Sequence, residues 1–448
     1  MSNHARLSIK EKVGYGLGDT ASNLYFQMYI NFLMFFYTDI FGIPAAVVGT
    51  LFIVSRFWDA VNDPIMGIIA DRTNTKWGKF RPYLIWVMIP MAIIGVLMFT
   101  TPDLSMTGKI VYAYITYIAM MMAYTAINIP YSALMGVLSP NSLERTSVST
   151  YRFVLAFAGA FIIQGATLPM VEFFGKGDQA VGFPVTMGVY GVLAMILFYA
   201  TFATTKERVQ PPAKQETSLK NDLKDLLNNR PWKILLVMGI FTLGYVILRS
   251  GTIMYYFKYY IGNELLASGF MVSGTVAVIA GVACTQFLSK ILGKKKLYLI
   301  VMGLSSVLTV LFYYIPKEQI ALIFIVNILT AFVMAPQAPL LWAMYADTAD
   351  YSEWKNGRRA TGLVFSAATF SQKFGMAIGG GLAGYLLAAF NFEPNVTQSP
   401  ETITGIKLMM SYIPAVATII ATVAAIFYPL DDKTMENIES DLKTRNSE

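Results

Sequence analysis

The segment 56–64, RFWDAVNDP, sets one arginine and two aspartates inside an otherwise apolar run. Arg56, Asp59 and Asp63 follow i, i+3, i+7 spacing, which stacks them on one helical face with Asn62 beside them. Two carboxylates four residues apart in an apolar medium are hard oxygen ligands for a small cation such as Na⁺, or a pair whose mutual repulsion lets one of them hold a proton. The competing reading is a structural ion pair between Arg56 and one aspartate. Further along, AYTAINIPYSAL (123–134) brings Thr125 and Asn128 just ahead of Pro130. The proline frees a backbone carbonyl about one turn earlier, which either completes a cation site or only bends a packing helix.

Other polar side chains interrupt apolar runs in patterns that fit a sugar. GYGLGDTASNLYFQ (14–27) presents Asp19, Asn23 and Gln27 at i, i+4 and i+8, with Tyr25 and Phe26 nearby. Sugar hydroxyls take polar partners and the apolar sugar face stacks on a ring. Asp19 alternatively sits at the cytoplasmic mouth and pairs with a loop arginine. Arg152 opens the fifth apolar run as a ligand, a gate or a snorkelling residue. Lys373 lies deep in FSQKFGMAIGGGLAGY (370–385) and needs an anionic partner, for which Asp59 and Asp63 across a cavity are the candidates. Gly375, Gly379, Gly380 and Gly384 follow the small-xxx-small spacing of close helix packing. Asp347, Asp350 and Glu353 cluster near Arg358 and Arg359, either closing a gate through ion pairs with the basic 72–81 loop or forming a solvated rim. Trp342, one turn inside that cluster, is a sugar-stacking ring or an interfacial anchor.

These residues must be carried by membrane helices. The 448-residue chain is 55% hydrophobic and 14% charged, where a soluble protein carries about 25% charged residues. Apolar runs near membrane length recur about twelve times. Their cores are 14–37, 45–70, 83–101, 110–138, 153–174, 185–202, 234–260, 270–288, 297–315, 320–345, 362–390 and 409–429. With that count, 26 of the 34 Lys and Arg residues fall on one side and four on the other, which places both termini in the cytoplasm. The basic stretch 206–233 contains Pro211-Pro212 and an amphipathic pattern at Leu219, Leu223, Leu226 and Leu227. It divides the chain into a six-helix half (1–205), a cytoplasmic linker (206–233), a second six-helix half (234–430) and a cytoplasmic tail (431–448). Gly78-Lys79 is answered by Gly293-Lys294 at about half the chain length, as expected of an internal repeat.

Whole classes of function fall away. One Cys and one His leave no disulfide framework, no Cys/His metal site and no buried His base. The formal charge of +7 follows from membrane topology rather than nucleic-acid binding. No phosphate-cradling GxxxxGK[ST] is present, so ATP-driven pumping is disfavoured, and no Ser/His/Asp set marks an enzyme. MSNHARLSIKEK at the start lacks the apolar core of a signal peptide. No cofactor beyond a coupling ion, Na⁺ or H⁺, is expected, and no partner beyond membrane lipid and a small-molecule substrate.

The segments KEKVGYGLGDTASN (10–23), FFYTDIFGIPAAVVGTLF (35–52), RFWDAVNDPIMGIIADRTNTKWGKFRP (56–82), NIPY (128–131), ADTADYSEWKNGRR (346–359) and the Lys373 stretch resemble the glycoside–pentoside–hexuronide:cation symporters, the melibiose-carrier branch of the major facilitator superfamily. TTKERV (204–209) makes the chain most similar to α-xyloside type carriers of bacteria. The resemblance implies an all-α membrane fold of twelve helices in two halves, located in the bacterial inner membrane. It implies cation ligation by Asp59 and Asp63 assisted by Asn62 and Thr125, a sugar contact by Arg152, and a Lys373 that links the sugar and cation sites. With Asn23, Gln27, Asn128 and Trp342, these last two make up the expected substrate set. Melibiose carriers have Asp where this chain has Asn23 and Asn128, and Trp at the position of Ala338, so a glycoside other than melibiose is implied, with a xyloside or short plant-derived oligosaccharide foremost. The loss of a carboxylate at Asn128 leaves H⁺ open beside Na⁺. A lysolipid or other amphiphile transporter of the same fold is the alternative, disfavoured by the polar set at Asn23, Gln27, Asn128 and Arg152.

Overall fold

The computed structural model describes residues 7–139, 142–208, 228–357 and 361–445, and among them the secondary structure is helical, without a β-strand. The first unit comprises Met1–Ala213 with the short segments Leu265–Val272 and Phe392–Val396. Its helices are α1 (Ile9–Met28), α2 (Ala45–Arg72), α3 (Pro82–Met98), α4 (Met106–Leu138), α5 (Ser142–Gly175) and α6 (Gln179–Thr204). The second unit carries α7 (Arg230–Tyr255), most of α8 (Leu266–Leu292), α9 (Lys294–Leu311), α10 (Ile320–Met334), α11 (Gln337–Asn356), α12 (Thr361–Ala389), α13 (Pro400–Met410), α14 (Tyr412–Ile426) and α15 (Asp432–Arg445). Each apolar run read from the sequence falls on a helix or on two consecutive helices. Breaks occur where the main chain loses a donor, at Pro336 between α10 and α11 and at Ser411, shortly before Pro414, between α13 and α14.

The repeat is visible in the packing. In the first unit α1 lies against α5 and α6, and α3 against α6. In the second, α7 lies against α12 and α14, and α9 against α14. The first helix of each unit also ends alike. After α1 come π-helical turns at Tyr29–Leu33 and Phe36–Ile40, and after α7 one at Tyr256–Ile261. Both lead into a glycine at positive φ, Gly42 at 78° and Gly262 at 83°.

Seven helices among the described residues are long and apolar enough to cross a bilayer, and α3 is a shorter apolar one. The helices of the first two runs fall outside those seven because they carry the polar stripes at Asp19–Asn31 and Arg56–Asp63. Gly375 and Gly379 of α12 behave as the sequence spacing requires. A Cβ at Gly375 would collide with the Ile240 carbonyl, and one at Gly379 would lie 2.6 Å from the Gly244 carbonyl, so α12 rests directly on the α7 backbone.

The amphipathic linker pattern at 219–227 lies outside the described residues, and α7 begins at Arg230, with the Asn229 side chain accepting from the Trp232 N–H. The segment after 430 is a docked helix, α15, whose Met435 and Ile438 are buried in the core that also holds Trp232, Tyr298 and Tyr345. Trp354 donates to Asp441 at 2.9 Å.

Candidate functional site

Arg152 lies ten residues inside α5, where the apolar run opens, and is partly buried. Its Nε donates to Asp19 Oδ2 at 3.1 Å and a terminal nitrogen reaches Oδ1 at 3.5 Å. Asp19 is 8% exposed and pairs with this intrahelical arginine rather than with one in a loop. The guanidinium also stands 5.3 Å from the Tyr131 ring centroid. Below it, Tyr15 and Tyr131 stack at 4.6 Å and bond reciprocally, each hydroxyl donating to the other residue's carbonyl at 3.0 and 2.7 Å. Thr20 Oγ1 donates to the Leu155 carbonyl at 2.8 Å. These bonds tie α1, α4 and α5 together around the ion pair.

The amides along the same stripe are oriented by the main chain. Asn23 Nδ2 donates to the Asp19 carbonyl at 3.0 Å and Asn128 Nδ2 to the Tyr124 carbonyl at 3.0 Å. Gln27, half-buried one turn further along α1, accepts from Asn31 Nδ2 at 2.9 Å and from Gln164 Nε2 at 3.4 Å. Of the two aromatic residues read as sugar-stacking rings, Tyr25 is fully buried against Gly95 of α3, while Phe26 is half-buried and stacks on Tyr124 at 6.4 Å.

In α2, Arg56 donates to Asp59 Oδ2 at 3.0 Å, so the ion pair named as the competing reading is present. Asp59 is 3% exposed, and Asp63 is half-buried and accepts from Thr125 Oγ1 of α4 at 3.0 Å. Asn62 is half-buried. Arg56, Asp59 and Asp63 together carry a formal charge of −1.

In the second unit Lys373 is half-buried in α12, and Ser371, two residues earlier, shares a 3.1 Å hydrogen bond with Tyr345 of α11. Trp342 is 39% exposed with its ring edge-on to Tyr345. Of the cluster Asp347, Asp350 and Glu353, read as a gate or as a solvated rim, Asp347 is buried and its carboxylate pairs with Lys294 of its own unit. Lys294 starts α9, next to Asp347 on α11, and satisfies it locally. Arg358 lies outside the described residues. Sequence reading passed over Arg249, a 9%-exposed cation on α7 that donates to the Tyr245 hydroxyl at 3.0 Å and covers the Phe312 ring at 4.5 Å.

Two residues of the first-unit cluster were missed, Asn31 and Gln164, and Asp19 was read without its partner Arg152. The available signal for Asp19 was Arg152 itself, because a charge inside an apolar helix demands a counter-charge nearby.

The family of MFS/sugar transport proteins matches this chain over residues 14–432. YagG of Escherichia coli (strain K12), provisionally named a glycoside/cation symporter, is 40% identical over 98% of this chain and 95% of its own. The isoprimeverose transporter of Lactiplantibacillus pentosus is 39% identical over 98% and 92%. The inner membrane symporter YicJ of Escherichia coli (strain K12) is 37% identical over 97% and 95%. Among solved structures, the nucleoside transporter NupG shares the fold at TM-score 0.64 and 13% identity, covering 94% of this chain and 100% of that one. A bacterial homologue of the lysosomal transporter Spinster does so at 0.65 and 12%, covering 97% of each. A helical chain with charged stripes inside apolar helices, matched nearly end to end by such relatives, belongs to the MFS/sugar transport protein family and is a multi-pass membrane transporter.

Proposed function

We infer that the protein is a secondary active symporter that imports a glycoside together with Na⁺ or H⁺ by alternating access of two halves, 1–205 and 234–430, joined by the 206–233 linker. It works in the bacterial inner membrane with both termini in the cytoplasm. The observation that carries this reading is the arrangement of charge in the first unit. Arg56 neutralises Asp59, which leaves one net negative charge at Asp63, matched to one monovalent cation. The Asp63–Thr125 bond joins α2 to α4, so a cation held by Asp63, Asn62, Thr125 and Asp59 steadies the helix that also carries Asn128 and Tyr131. That linkage supports coupling, because whatever favours one site's geometry favours the other's and the effect is reciprocal.

The first unit's share of the sugar site in this reading is Asp19, Asn23, Gln27, Asn128 and Arg152; Trp342 and Lys373 are the candidates that the second unit offers, Lys373 for the link to the cation. A neutral amide at Asn23 and at Asn128 offers single acceptor oxygens. The relative named for isoprimeverose, a xylose-containing disaccharide, supports a xyloside or short plant-derived oligosaccharide as cargo.

The test is uptake into proteoliposomes of labelled α-xylosides, β-glucuronides and α-galactosides under an imposed Na⁺ or H⁺ gradient. Uphill accumulation of one glycoside under one gradient is the expected result. Failure of every sugar under both gradients overturns the reading and favours an amphiphile as cargo.

A further inference from the structure

We propose that Asn31 and Gln164 are positioning residues that lock the Gln27 amide with its nitrogen outward, so that this point of the sugar site offers donors only and selects a substrate acceptor oxygen. The proposal rests on the assignment of Gln27 to the sugar site.

The orientation is anchored at a main-chain atom. Asn31 Nδ2 lies 2.9 Å from the carbonyl oxygen of Gln27. A carbonyl only accepts, so the group facing it is the Asn31 amino group. That same nitrogen is 2.9 Å from the Gln27 side-chain oxygen, so the end of the Gln27 amide turned toward Asn31 is its acceptor. Gln164 Nε2, from α5, approaches the same oxygen at 3.4 Å. Two donors on one carbonyl oxygen occupy both its lone pairs and fix the amide plane from two helices. Asn31 and Gln164 are 5% and 9% exposed, whereas Gln27 is half-buried, so the two supports are inside and the amide they hold is accessible.

The consequence is a fixed polarity along the stripe. Asn23 and Asn128 each give one N–H to a main-chain carbonyl and keep an oxygen and a second N–H, while Gln27 commits its oxygen and presents N–H groups alone. A freely turning amide accepts from a hydroxyl or donates to it with equal ease. A locked one distinguishes an acceptor without a proton, such as the ring or bridging oxygen of a glycoside or a carboxylate, from a group that must donate. Asn23 and Asn128, each with an oxygen and an N–H left, accept from or donate to the hydroxyls.

The experiment is a mutant cycle on the full-length protein in detergent. Isoprimeverose, methyl β-glucuronide and methyl α-galactoside are titrated calorimetrically into the wild type, Gln27→Leu, Asn31→Leu, Gln164→Leu and the Gln27→Leu variant combined with each of the other two. Thermal unfolding is recorded alongside. The expected result is a three- to tenfold loss of affinity, the size of one net hydrogen bond, in Gln27→Leu and a similar loss in Asn31→Leu and Gln164→Leu. Neither combined variant then binds more weakly than Gln27→Leu alone, because both supports act through that amide. Gln164→Leu, on a different helix, carries the cycle should Asn31→Leu fail to fold. Additive losses, or unchanged affinity in the two support variants beside a weakened Gln27→Leu, overturn this proposal and leave the sugar site standing. Unchanged affinity in Gln27→Leu, or binding of none of the three sugars, overturns the sugar-site reading and this proposal with it.

Discussion

A guanidinium held ten residues inside α5 is tolerable only beside a counter-charge, and Asp19 on α1 supplies it. Removing either partner strands the other. Asp19→Asn is therefore expected to lower the unfolding temperature in detergent, by a free energy of about 3 kcal/mol. The double variant Asp19→Asn with Arg152→Gln should recover much of that stability, since no lone charge remains, yet still fail to bind sugar. Recovery of binding in the double variant contradicts a sugar role for the pair. At this scale the sequence was partly legible. Arg152, Asp63 and Thr125 stood out as polar groups in apolar runs, and the structure joins the last two. Asp19 was left between the sugar stripe and a loop arginine, because its partner Arg152 is 133 residues away and helical spacing says nothing about which helix lies opposite. Tyr25 misled for the same reason, since adjacency in sequence to the polar stripe turned its ring toward α3 instead.

At the level of elements, the paired glycines of the repeat acquire a physical purpose. Gly78 and Gly293 both take positive φ, 107° and 78°, and each precedes a helix start held by an acid from the segment after the sixth or fourteenth helix. Glu207 accepts from the main-chain N–H groups of Lys79, Phe80 and Arg81 at 2.9, 2.8 and 3.0 Å, where the dipole of α3 favours an anion. Asp432 accepts from the Lys294 N–H at 3.4 Å at the start of α9. Beside Glu207, Arg208 grips Glu11 of α1 with bonds of 2.6 and 2.9 Å, so the beginning of the linker fastens α1 as well as α3. Glu207→Ala leaves three donors without their acceptor and should destabilise the first unit by roughly 1–3 kcal/mol. Asp432→Ala, losing a single long bond, should cost less, and chemical denaturation of the two variants checks the order. Gly375→Val forces a branched side chain onto the Ile240 carbonyl and is expected to abolish folding or lower the melting temperature sharply. The glycine spacings were legible in the sequence. Their acidic partners were not, because 128 and 138 residues separate them from the helices they hold.

Asp431 gives a pH test at the same level. The Thr434 hydroxyl and N–H bond its carboxylate and hold it below the usual carboxylate range. A depressed folded value means that its contribution to the start of α15 is complete above the unfolded value and is lost as pH falls through the folded one. The protection factor of the Thr434 amide, its exchange relative to the unstructured rate at the same pH, should therefore fall on strong acidification and stay constant near neutrality. A protection factor already falling at neutral pH contradicts this cap.

Across the whole molecule, hydropathy and function oppose each other in a way the sequence shows directly. The helices α1 and α2, which fall short of the membrane signature over their full length, are among those that carry candidate polar residues: Asp19, Asn23, Gln27, Arg56, Asp59 and Asp63. Composition and the recurring apolar runs make the helical membrane fold readable in the sequence. The helix pairings that make each unit were not readable, because apolar faces packed on apolar faces leave no register in composition. The second unit repeats the first unit's pairing of α1 with α5 and α6 in α7 with α12 and α14, so two copies of one bundle plan carry unlike chemistry. Sugar and cation candidates concentrate in the first unit, and Lys373, Trp342 and Arg249 are the second unit's contribution.

Coupling is the central claim, and sugar-driven cation entry tests it most directly. Proteoliposomes without a gradient receive the transported glycoside, while entry of labelled Na⁺ and the external pH are followed together. The account predicts that sugar draws in one of the two cations in a fixed ratio, and that Asp63→Asn abolishes this cation movement. Sugar entry with neither cation following, or undiminished cation entry in Asp63→Asn, contradicts it.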